Sequence, residues 1–334
     1  MQEPDHRARA TAGAQALQGW YSWWTGQWRT TGWWNAANAL TSIVRYSRVT
    51  GDHRYAGKIA HTHCAARLRH RDFLARYFDD NGWWALAWLE AHDLTGNARY
   101  LEAARRIFEN MVTAWDDTCG GGLWWNEDRR YKNAITNELF LTVAARLHQR
   151  AGRDSYYLDW ARREWDWFQA SGMTGISGLV NDGLAADCRN NGQPTYTYNQ
   201  GVVLGGLAAL YEISGDQDYL RQGESIADAA LRDLVSPAGV LVEPGEEEMA
   251  RTRRRGDSSQ FKGIFIRNLH DFYLSSSRPA YAEFIRTNAE SVWANSRNER
   301  NQFGIRWTGP FDVADASRQS SALDALIAAA AVSH

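Results

Sequence analysis

The sequence predicts an all-α toroid, in which six helical hairpins close into a double ring of inner and outer helices. Three observations predict it: a turn motif recurs along the chain, apolar residues flank the turns at helical spacing, and strand signals are scarce. Hairpins of fixed period can also stack into an open solenoid. The repeat here spans roughly 45 to 60 residues, longer than the repeats of common solenoids, so we favour closure.

The recurring motif is predicted to be the short turn of an αα-hairpin. It occupies residues 49–55, 94–100 and 213–219, with a degenerate copy at 151–157. In each copy a Gly that can end one helix in the left-handed region comes before an Asp or Asn that can cap the next helix. Each copy therefore predicts a helix on either side.

Apolar residues at helical spacing extend this pattern over the chain. We predict twelve helices, at residues 7–24, 35–50, 54–69, 80–95, 100–115, 134–151, 155–171, 200–214, 219–234, 261–275, 280–294 and 317–331. Charged helices such as 100–115 are expected in the outer ring, and helices with small residues, such as 200–214, in the inner ring. Together they predict a single domain over residues 1–334.

Composition argues against two classes of partner. The chain has 37 basic and 39 acidic residues, a formal net charge of -2, so it has no broad positive field for nucleic acid. No apolar run approaches the roughly 20 residues that span a bilayer, and residues 1–17 lack a hydrophobic signal core. We expect a monomer that binds neither nucleic acid nor membranes. It would be cytoplasmic as written, or extracellular if the chain is a trimmed mature form.

The chain shows no pattern for a cofactor or metal. Cys64, Cys119 and Cys188 are too few and too scattered for a disulfide framework or a zinc site, although one bridge stays open. The sequence contains no His-x-x-x-His or Cys-x-x-Cys pair. The glycines at 120–122 lack the flanking features of a phosphate or dinucleotide loop. We therefore predict neither group.

The segments before the predicted inner helices share an unusual composition. They cover residues 28–35, 77–84, 119–137, 188–200, 251–262 and 306–319, and are rich in Trp, Tyr, Asn, Gln and Gly. In a ring of hairpins they open on one face, which we call the bowl. Trp rings can stack on sugars and amides can bond hydroxyls, so the bowl is predicted to bind carbohydrate.

Asp79 and Asp80 are the candidate catalytic residues. They lie between aromatic residues at a predicted helix start. Two neighbouring carboxylates cannot both stay ionised when desolvated, so one is driven towards the neutral acid. A retaining glycosidase needs a nucleophilic carboxylate and an acid roughly 5 to 5.5 Å apart, which adjacent residues can reach. The alternative is that one Asp is only the helix N-cap. Asp182 is interpreted most simply as a turn residue.

Five ordered segments resemble glycoside hydrolase family 76: residues 77–84, 118–126, 132–139, 196–201 and 261–265. The similarity runs from about residue 33 to residue 269. It implies an (α/α)6 barrel and retaining endo-α-1,6-mannanase activity without a cofactor. It also implies that Asp79 is the nucleophile and Asp80 the acid/base. The expected substrate is α-mannan or an α-1,6-mannooligosaccharide.

The bowl supplies candidate substrate contacts. The candidate stacking platforms are Trp34, Trp84, Trp124 and Trp125. The candidate hydroxyl contacts are Asn133, Asn137, Tyr198, Asn199, Gln200 and Lys262. Three other functions stay open: a transglycosylase that uses the same covalent intermediate, a catalytically weak mannan-binding protein, and a sugar epimerase or isomerase. The last would call for paired catalytic histidines, which these loops lack.

Overall fold

The structure is a computed structural model that describes residues 5–151 and 155–333. Regular structure in these ranges is nearly all helical, apart from an antiparallel hairpin of β1 (Tyr21–Ser22) and β2 (Gln27–Trp28). The α-helices are α1 (His6–Leu17), α2 (Trp33–Thr50), α3 (Ala56–Arg69), α4 (Phe78–Thr95), α5 (Ala98–Val112), α6 (Ala134–Ala151), α7 (Tyr156–Ala170), α8 (Thr197–Ser214), α9 (Gln217–Asp233), α10 (Glu246–Thr252), α11 (Phe261–Ser276), α12 (Pro279–Asn295) and α13 (Ala316–Val332).

The inner helices form a closed ring. Helix α2 packs on α4, α4 on α6, α6 on α8, α8 on α11, α11 on α13, and α13 back on α2. The outer layer consists of α1 on α13, α3 on α2, α5 on α4, α7 on α6, α9 on α8, and α12 on α13 and α11. The predicted all-α (α/α)6 barrel is confirmed, and the open solenoid is excluded because the last inner helix contacts the first. None of the helices in the described ranges combines the length and apolar composition needed to cross a membrane.

Three of the predicted turns have the expected geometry. Gly51, Gly96 and Gly215 follow α2, α4 and α8 with φ angles of 72, 68 and 71°. Residues with a Cβ rarely adopt this left-handed conformation, so glycine ends each helix at low cost. Asn97 and Asp216 then cap α5 and α9 through their side-chain oxygens. The copy at 151–157 includes residues 152–154, which lie outside the described residues.

The structure differs from the predicted elements at three places. Helix α1 ends at Leu17 rather than at residue 24, because residues 21–28 form the β1–β2 hairpin. Asp52 does not cap α3, since its carboxylate accepts a hydrogen bond from the Arg54 N–H and α3 begins only at Ala56. The short helix α10 was not predicted; three glutamates in its first turn favour it through the helix dipole.

Glycines allow the inner helices to approach each other closely. A Cβ at Gly201 of α8 would lie 2.5 Å from the Cα of Phe265 on α11. A Cβ at Gly263 of α11 would lie 2.4 Å from the backbone oxygen of Ser321 on α13. A side chain at either position would therefore push two inner helices apart.

Ion pairs join the inner helices at the end of the ring opposite the bowl. Arg45 of α2 and Arg146 of α6 both bond Glu90 of α4, at 2.7 and 3.1 Å, and Asp271 of α11, at 2.5 and 2.7 Å. Burial by itself would raise the pKa of Glu90, but Arg45, Arg48 and Arg146 hold that pKa below its ordinary value. This cluster links four inner helices by their C-terminal halves.

Replacing Glu90 by Gln should lower the free energy of unfolding by about 3 to 5 kcal/mol, because the change leaves Asp271 as the one remaining counter-charge for two buried guanidinium groups. Urea unfolding of the two proteins measures this difference. The folded pKa of Glu90 is depressed, so its contribution is present above the unfolded carboxyl pKa and is lost as the pH falls. The difference between the two proteins should therefore shrink below about pH 4.

Asp128→Asn is the matched control. Asp128 pairs with Arg76, but both side chains are about half exposed, so its loss should cost less than about 1 kcal/mol. Equal urea midpoints for the Glu90 and Asp128 variants would contradict a stabilising role for the buried cluster.

Candidate active site

Asp79 and Asp80 lie in the first turn of α4, at the bowl end of the ring. Asp79 opens onto a cavity of about 180 Å³, which we call the central cavity. Its lining residues are Trp34, Asp79, Trp83, Trp125, Tyr131, Asn133, Asp182, Tyr198, Asp257 and Phe261. A larger cavity of about 270 Å³ lies at the opposite end of the ring, but there Arg45 and Arg146 are paired with Glu90 and Asp271. The central cavity is therefore the candidate active site.

Both carboxylate oxygens of Asp79 are held in place. The indole Nε1 of Trp125 donates to Oδ2 at 2.9 Å, and the backbone N–H of Asp80 donates to Oδ1 at 2.9 Å. Burial raises the pKa of Asp79 to about 7, and these two hydrogen bonds oppose part of that rise. The helix dipole at the start of α4 also favours a negative charge here.

Asp80 has a different environment. Burial is the largest cause of the raised pKa of Asp80, and the negative charges of Asp79 and Asp257 raise it further. Among the described residues, we find no donor to the Asp80 carboxyl that would oppose this rise. Of the two neighbours, Asp80 is thus the better place for a proton and Asp79 the better place for a charge. The pair can supply an ionised nucleophile and a neutral acid at the same time.

Aromatic rings form one wall of the central cavity. Tyr198 stacks on Phe261 with ring centroids 3.7 Å apart, and Trp34 stacks against Trp83 at 5.5 Å. The Nε1 of Trp34 also donates to Asp257 at 3.1 Å. This wall offers flat apolar faces with a carboxylate at one edge, which suits a ring that has both C–H faces and hydroxyl groups.

Polar groups form the other wall. The Tyr131 hydroxyl donates to Asp182 at 2.5 Å and accepts a hydrogen bond from the Asn191 amide at 3.0 Å. Asn133 lies beside them in the lining. Asp182 therefore belongs to the cavity, although the sequence favoured a plain turn residue. Burial raises its pKa, and the hydrogen bond from Tyr131 opposes the rise.

Four of the ten predicted substrate contacts line the central cavity: Trp34, Trp125, Asn133 and Tyr198. Trp84 is fully buried and packs between Trp33 and Trp88, so its ring is not free to stack on a sugar. Trp124 donates its Nε1 to Asp116 at 2.6 Å and is not in the lining.

The remaining predicted contacts are buried within the protein. Asn137 accepts from the Leu123 N–H and donates to the Leu123 carbonyl, and Gln200 does the same with Val180. The oxygen and the nitrogen of each side-chain amide are therefore bonded to the backbone of a loop.

Asn199 and Lys262 are also enclosed. Asn199 is fully buried, and its amide has no hydrogen-bond partner among the described residues. Lys262 is 2% exposed, and its ammonium donates to Glu246 at 2.6 Å and to the Ile305 carbonyl at 2.8 Å. Neither residue is in the lining of the central cavity, and their predicted hydroxyl contacts stay predictions.

The lining residues that sequence reasoning missed are Trp83, Tyr131, Asp257 and Phe261. All four lie inside the segments that the sequence singled out. The sequence analysis did not consider the direction in which each side chain points from its helix. Trp83 and Trp84 are adjacent on α4, but consecutive helical residues point about 100° apart, so only Trp83 reaches the cavity.

Two further interactions hold the loops of the bowl in place. The buried Lys132 ammonium donates to the carbonyls of Thr118, Gly121 and Gly122 at 2.7 to 2.9 Å, so the loop wraps around it. A disulfide joins Cys119 to Cys188, with Cα atoms 5.3 Å apart, whereas Cys64 is exposed and unbridged. The bridge that the sequence left open thus links the loops before α6 and α8.

In the described ranges, no group of three or more His, Cys, Asp or Glu side chains could hold a metal ion. The carboxylates of the central cavity are instead spread over separate walls. The chemistry that this cavity offers is acid–base and nucleophilic.

Known proteins share sequence and fold with this chain. The chain is similar to mannan endo-1,6-alpha-mannosidase DCW1 of Candida albicans, with 30% identity over 207 residues, 57% of this chain and 46% of that protein. It thus spans about half the length of this curated relative.

Among solved structures, the alpha-1,6-mannanase of a Salegentibacter species has a TM-score of 0.89 and 25% identity, covering 98% of this chain and 100% of that one. An inactive variant of that enzyme, with two consecutive aspartates replaced by alanine, is known in complex with alpha-1,6-mannotetrose; its TM-score is 0.88 at 24% identity, over 98% and 100% of the two chains. The family model for glycosyl hydrolase family 76 matches residues 9–334. The chain therefore belongs to glycosyl hydrolase family 76.

Proposed function

We propose that this chain is a glycoside hydrolase that cleaves α-1,6-mannosidic linkages within mannan by a retaining double displacement. One observation carries the proposal: two adjacent carboxyl groups open the same helix, and in the part of the chain that the structure describes, donors hold both oxygens of Asp79 but neither oxygen of Asp80. A retaining glycosidase needs this division between a charged and a neutral carboxyl.

In the first step the Asp79 carboxylate attacks the anomeric carbon while Asp80 gives its proton to the departing glycosidic oxygen. The bond from the anomeric carbon to that oxygen breaks, and a covalent glycosyl–Asp79 ester forms. In the second step Asp80, now ionised, takes a proton from water as the water oxygen attacks the same carbon. The ester bond breaks, Asp79 leaves as a carboxylate, and two inversions give net retention.

The substrate class is supported by two kinds of observation. The central cavity combines stacked rings with carboxylate and amide groups, the surface that a hexose ring requires. The Candida albicans relative is named for 1,6-linked mannan and the Salegentibacter enzyme for alpha-1,6-mannan. We therefore take α-1,6-linked mannose as the substrate of this chain.

The disulfide bears on where the protein acts. Disulfides persist in oxidising compartments and are rare in the reducing cytosol. Of the two locations expected from the sequence, the Cys119–Cys188 bridge supports the extracellular one.

Proton NMR of unbranched α-1,6-mannan and of short α-1,6-mannooligosaccharides tests the reaction. The wild type should release new reducing ends that first appear as the α-anomer. Asp80→Asn should lower kcat by about 10² to 10⁴-fold through loss of the general acid. Asp79→Asn should lose at least as much, because no nucleophile remains.

An aryl α-mannoside with a good leaving group separates the two roles. Its departure needs no protonation, so the first step should recover in Asp80→Asn but not in Asp79→Asn. Asp117→Asn is the matched control, since that side chain is 96% exposed, and it should keep wild-type activity. New ends that first appear as the β-anomer, or full cleavage by Asp79→Asn, would refute the mechanism; products longer than the substrate would indicate transfer to sugar.

The pH dependence tests the hydrogen bond to Asp79. The Trp125→Phe substitution removes the hydrogen-bond donor to Oδ2 of Asp79. The ionised form of Asp79 is then less stable, so the pKa of Asp79 should rise. Asp79 must be ionised in the free enzyme, hence the acid limb of kcat/KM should move to higher pH by about one unit. The basic limb, which reports the Asp80 proton, should move much less.

Trp124→Phe is the control for this shift. Its indole donates to Asp116 rather than to the catalytic pair, so its acid limb should match that of the wild type. Acid limbs that coincide in the Trp125 variant and the wild type would show that this hydrogen bond does not tune the nucleophile.

A further inference from the structure

The β1–β2 hairpin carries an aromatic patch on the outer surface of the ring. Trp23 and Trp24 lie in its turn and are 62% and 81% exposed, whereas the other tryptophans of the described ranges are buried or half-buried. We call these two side chains the outer patch. Keeping two adjacent indole rings in water is unfavourable, and exposed apolar patches commonly mark binding surfaces.

The hairpin that presents the outer patch is held firmly on α3. Tyr21 is buried, and its hydroxyl is hydrogen-bonded to His61 Nδ1 at 2.8 Å and to the Thr62 hydroxyl at 3.1 Å. Gly26 has a φ angle of 69°, and a Cβ there would lie 2.7 Å from the Cβ of Ala65, so glycine allows the turn to pack against the helix. A fixed scaffold therefore presents the patch, which lowers the entropic cost of binding a ligand.

Neighbouring side chains also hold the Trp23 ring. Its centroid lies 5.3 Å from that of Tyr21, in an edge-to-face arrangement, and 4.8 Å from that of His61. The Lys58 ammonium lies 6.0 Å from the centre of the same ring. A flat ring bordered by imidazole and ammonium donors suits a ligand that has both apolar C–H faces and hydroxyl groups.

The outer patch is distant from the central cavity. Helix α3 belongs to the outer layer, and at its C-terminal end His70 stacks on Trp33, at the start of α2. His61, which contacts Trp23, precedes His70 by nine residues, a distance of about 14 Å along a helix. The patch therefore lies on the outer wall, below the rim of the bowl.

The size of the outer patch argues against a second protein chain as its occupant. A Trp side chain has roughly 150 to 250 Å² of surface, so at the observed exposures the two rings offer on the order of 300 Å². A stable protein interface needs about 800 Å² from each partner. The patch is thus too small for a dimer, but it can cover one or two sugar rings.

The charges beside the outer patch do not favour a membrane. Attachment of a surface segment to anionic lipid takes a cluster of Lys and Arg side chains or a broad apolar face. Among the described residues, Lys58 is the only cation over the Trp23 ring. Two indole rings with a sparse polar border instead match a neutral polysaccharide.

Resting on the proposed function, we infer that the outer patch binds the mannan polymer outside the active site, with Trp23 and Trp24 stacked on mannosyl rings. A chain that contacts both the patch and the central cavity is held at two places, so its effective concentration at the active site rises. A short oligosaccharide cannot reach both places. The patch thus raises the affinity for long mannan alone.

Kinetics on two substrates test this inference. In Trp23→Ala/Trp24→Ala, KM for long unbranched α-1,6-mannan should rise about three- to tenfold through the loss of ring stacking. The kcat on that polymer should stay at the wild-type value, as should kcat and KM on the α-1,6-mannose tetramer. Trp23→Tyr/Trp24→Tyr keeps the rings and should restore most of the affinity. Equal urea midpoints verify that the variants fold.

Leu274→Ala is the matched control, because Leu274 is 64% exposed but borders the cavity at the opposite end of the ring. It should follow the wild type on both substrates. A second readout needs no turnover: the Asp79→Asn/Asp80→Asn protein, with its central cavity saturated by the α-1,6-mannose trimer, should still bind long mannan. Adding the two alanine substitutions of the outer patch should abolish that binding.

The outcomes distinguish the two proposals. If the wild type cleaves mannan and the alanine pair keeps the wild-type KM on the polymer, the inference is overturned and the function stands. The same holds if KM rises equally on the tetramer, or if the alanine pair loses vesicle binding or a dimer in place of polymer affinity. If the wild type, correctly folded, neither cleaves nor binds α-1,6-mannan, both are overturned.

Discussion

The contact of α13 with α2 closes the inner ring, and the position of every bowl loop depends on that closure. A buried polar cluster forms where the two helices meet α11. Arg267 of α11 pairs with Asp324 of α13 at 3.1 Å, and Ser42 of α2 donates to the same carboxylate at 2.6 Å. Charged groups that are buried this deeply need a partner of opposite charge. The observed arrangement of the three helices supplies these partners, whereas another arrangement would leave a buried charge unpaired. Closure then brings Asp257, before α11, to Trp34, at the start of α2.

A ring in which all inner helices run in the same direction has two unlike ends. The bowl end has helix N-termini, free backbone N–H groups and a positive dipole, which support the charge on Asp79. The opposite end holds the Arg45–Glu90–Arg146–Asp271 cluster. The candidate active site and the buried ion pairs thus lie at separate ends, and carboxyl groups have opposite pKa shifts in the two places: raised for Asp80 and lowered for Glu90.

The segments that resemble the family contain architectural residues as well as the candidate catalytic ones. Lys132 and Lys262 stand in these segments, yet each is buried against backbone carbonyls. Gln200 fixes the Val180 backbone two residues before Asp182. These polar side chains hold the loops of the bowl, because their hydrogen-bonding groups are bonded to protein backbone.

The sequence by itself determined most of the helices, three of their turns and the candidate catalytic pair. These features are local: glycine caps, helical periodicity and two neighbouring carboxylates can each be recognised within a short stretch of sequence. Only the tertiary structure decided which bowl residues face the cavity. Trp84 and Gln200 lie in the same segments as Trp83 and Tyr198, but packing between helices turns the first two inward. Asp257 joined the site for the same reason, since its partner Trp34 lies 223 residues away and meets it only when the ring closes.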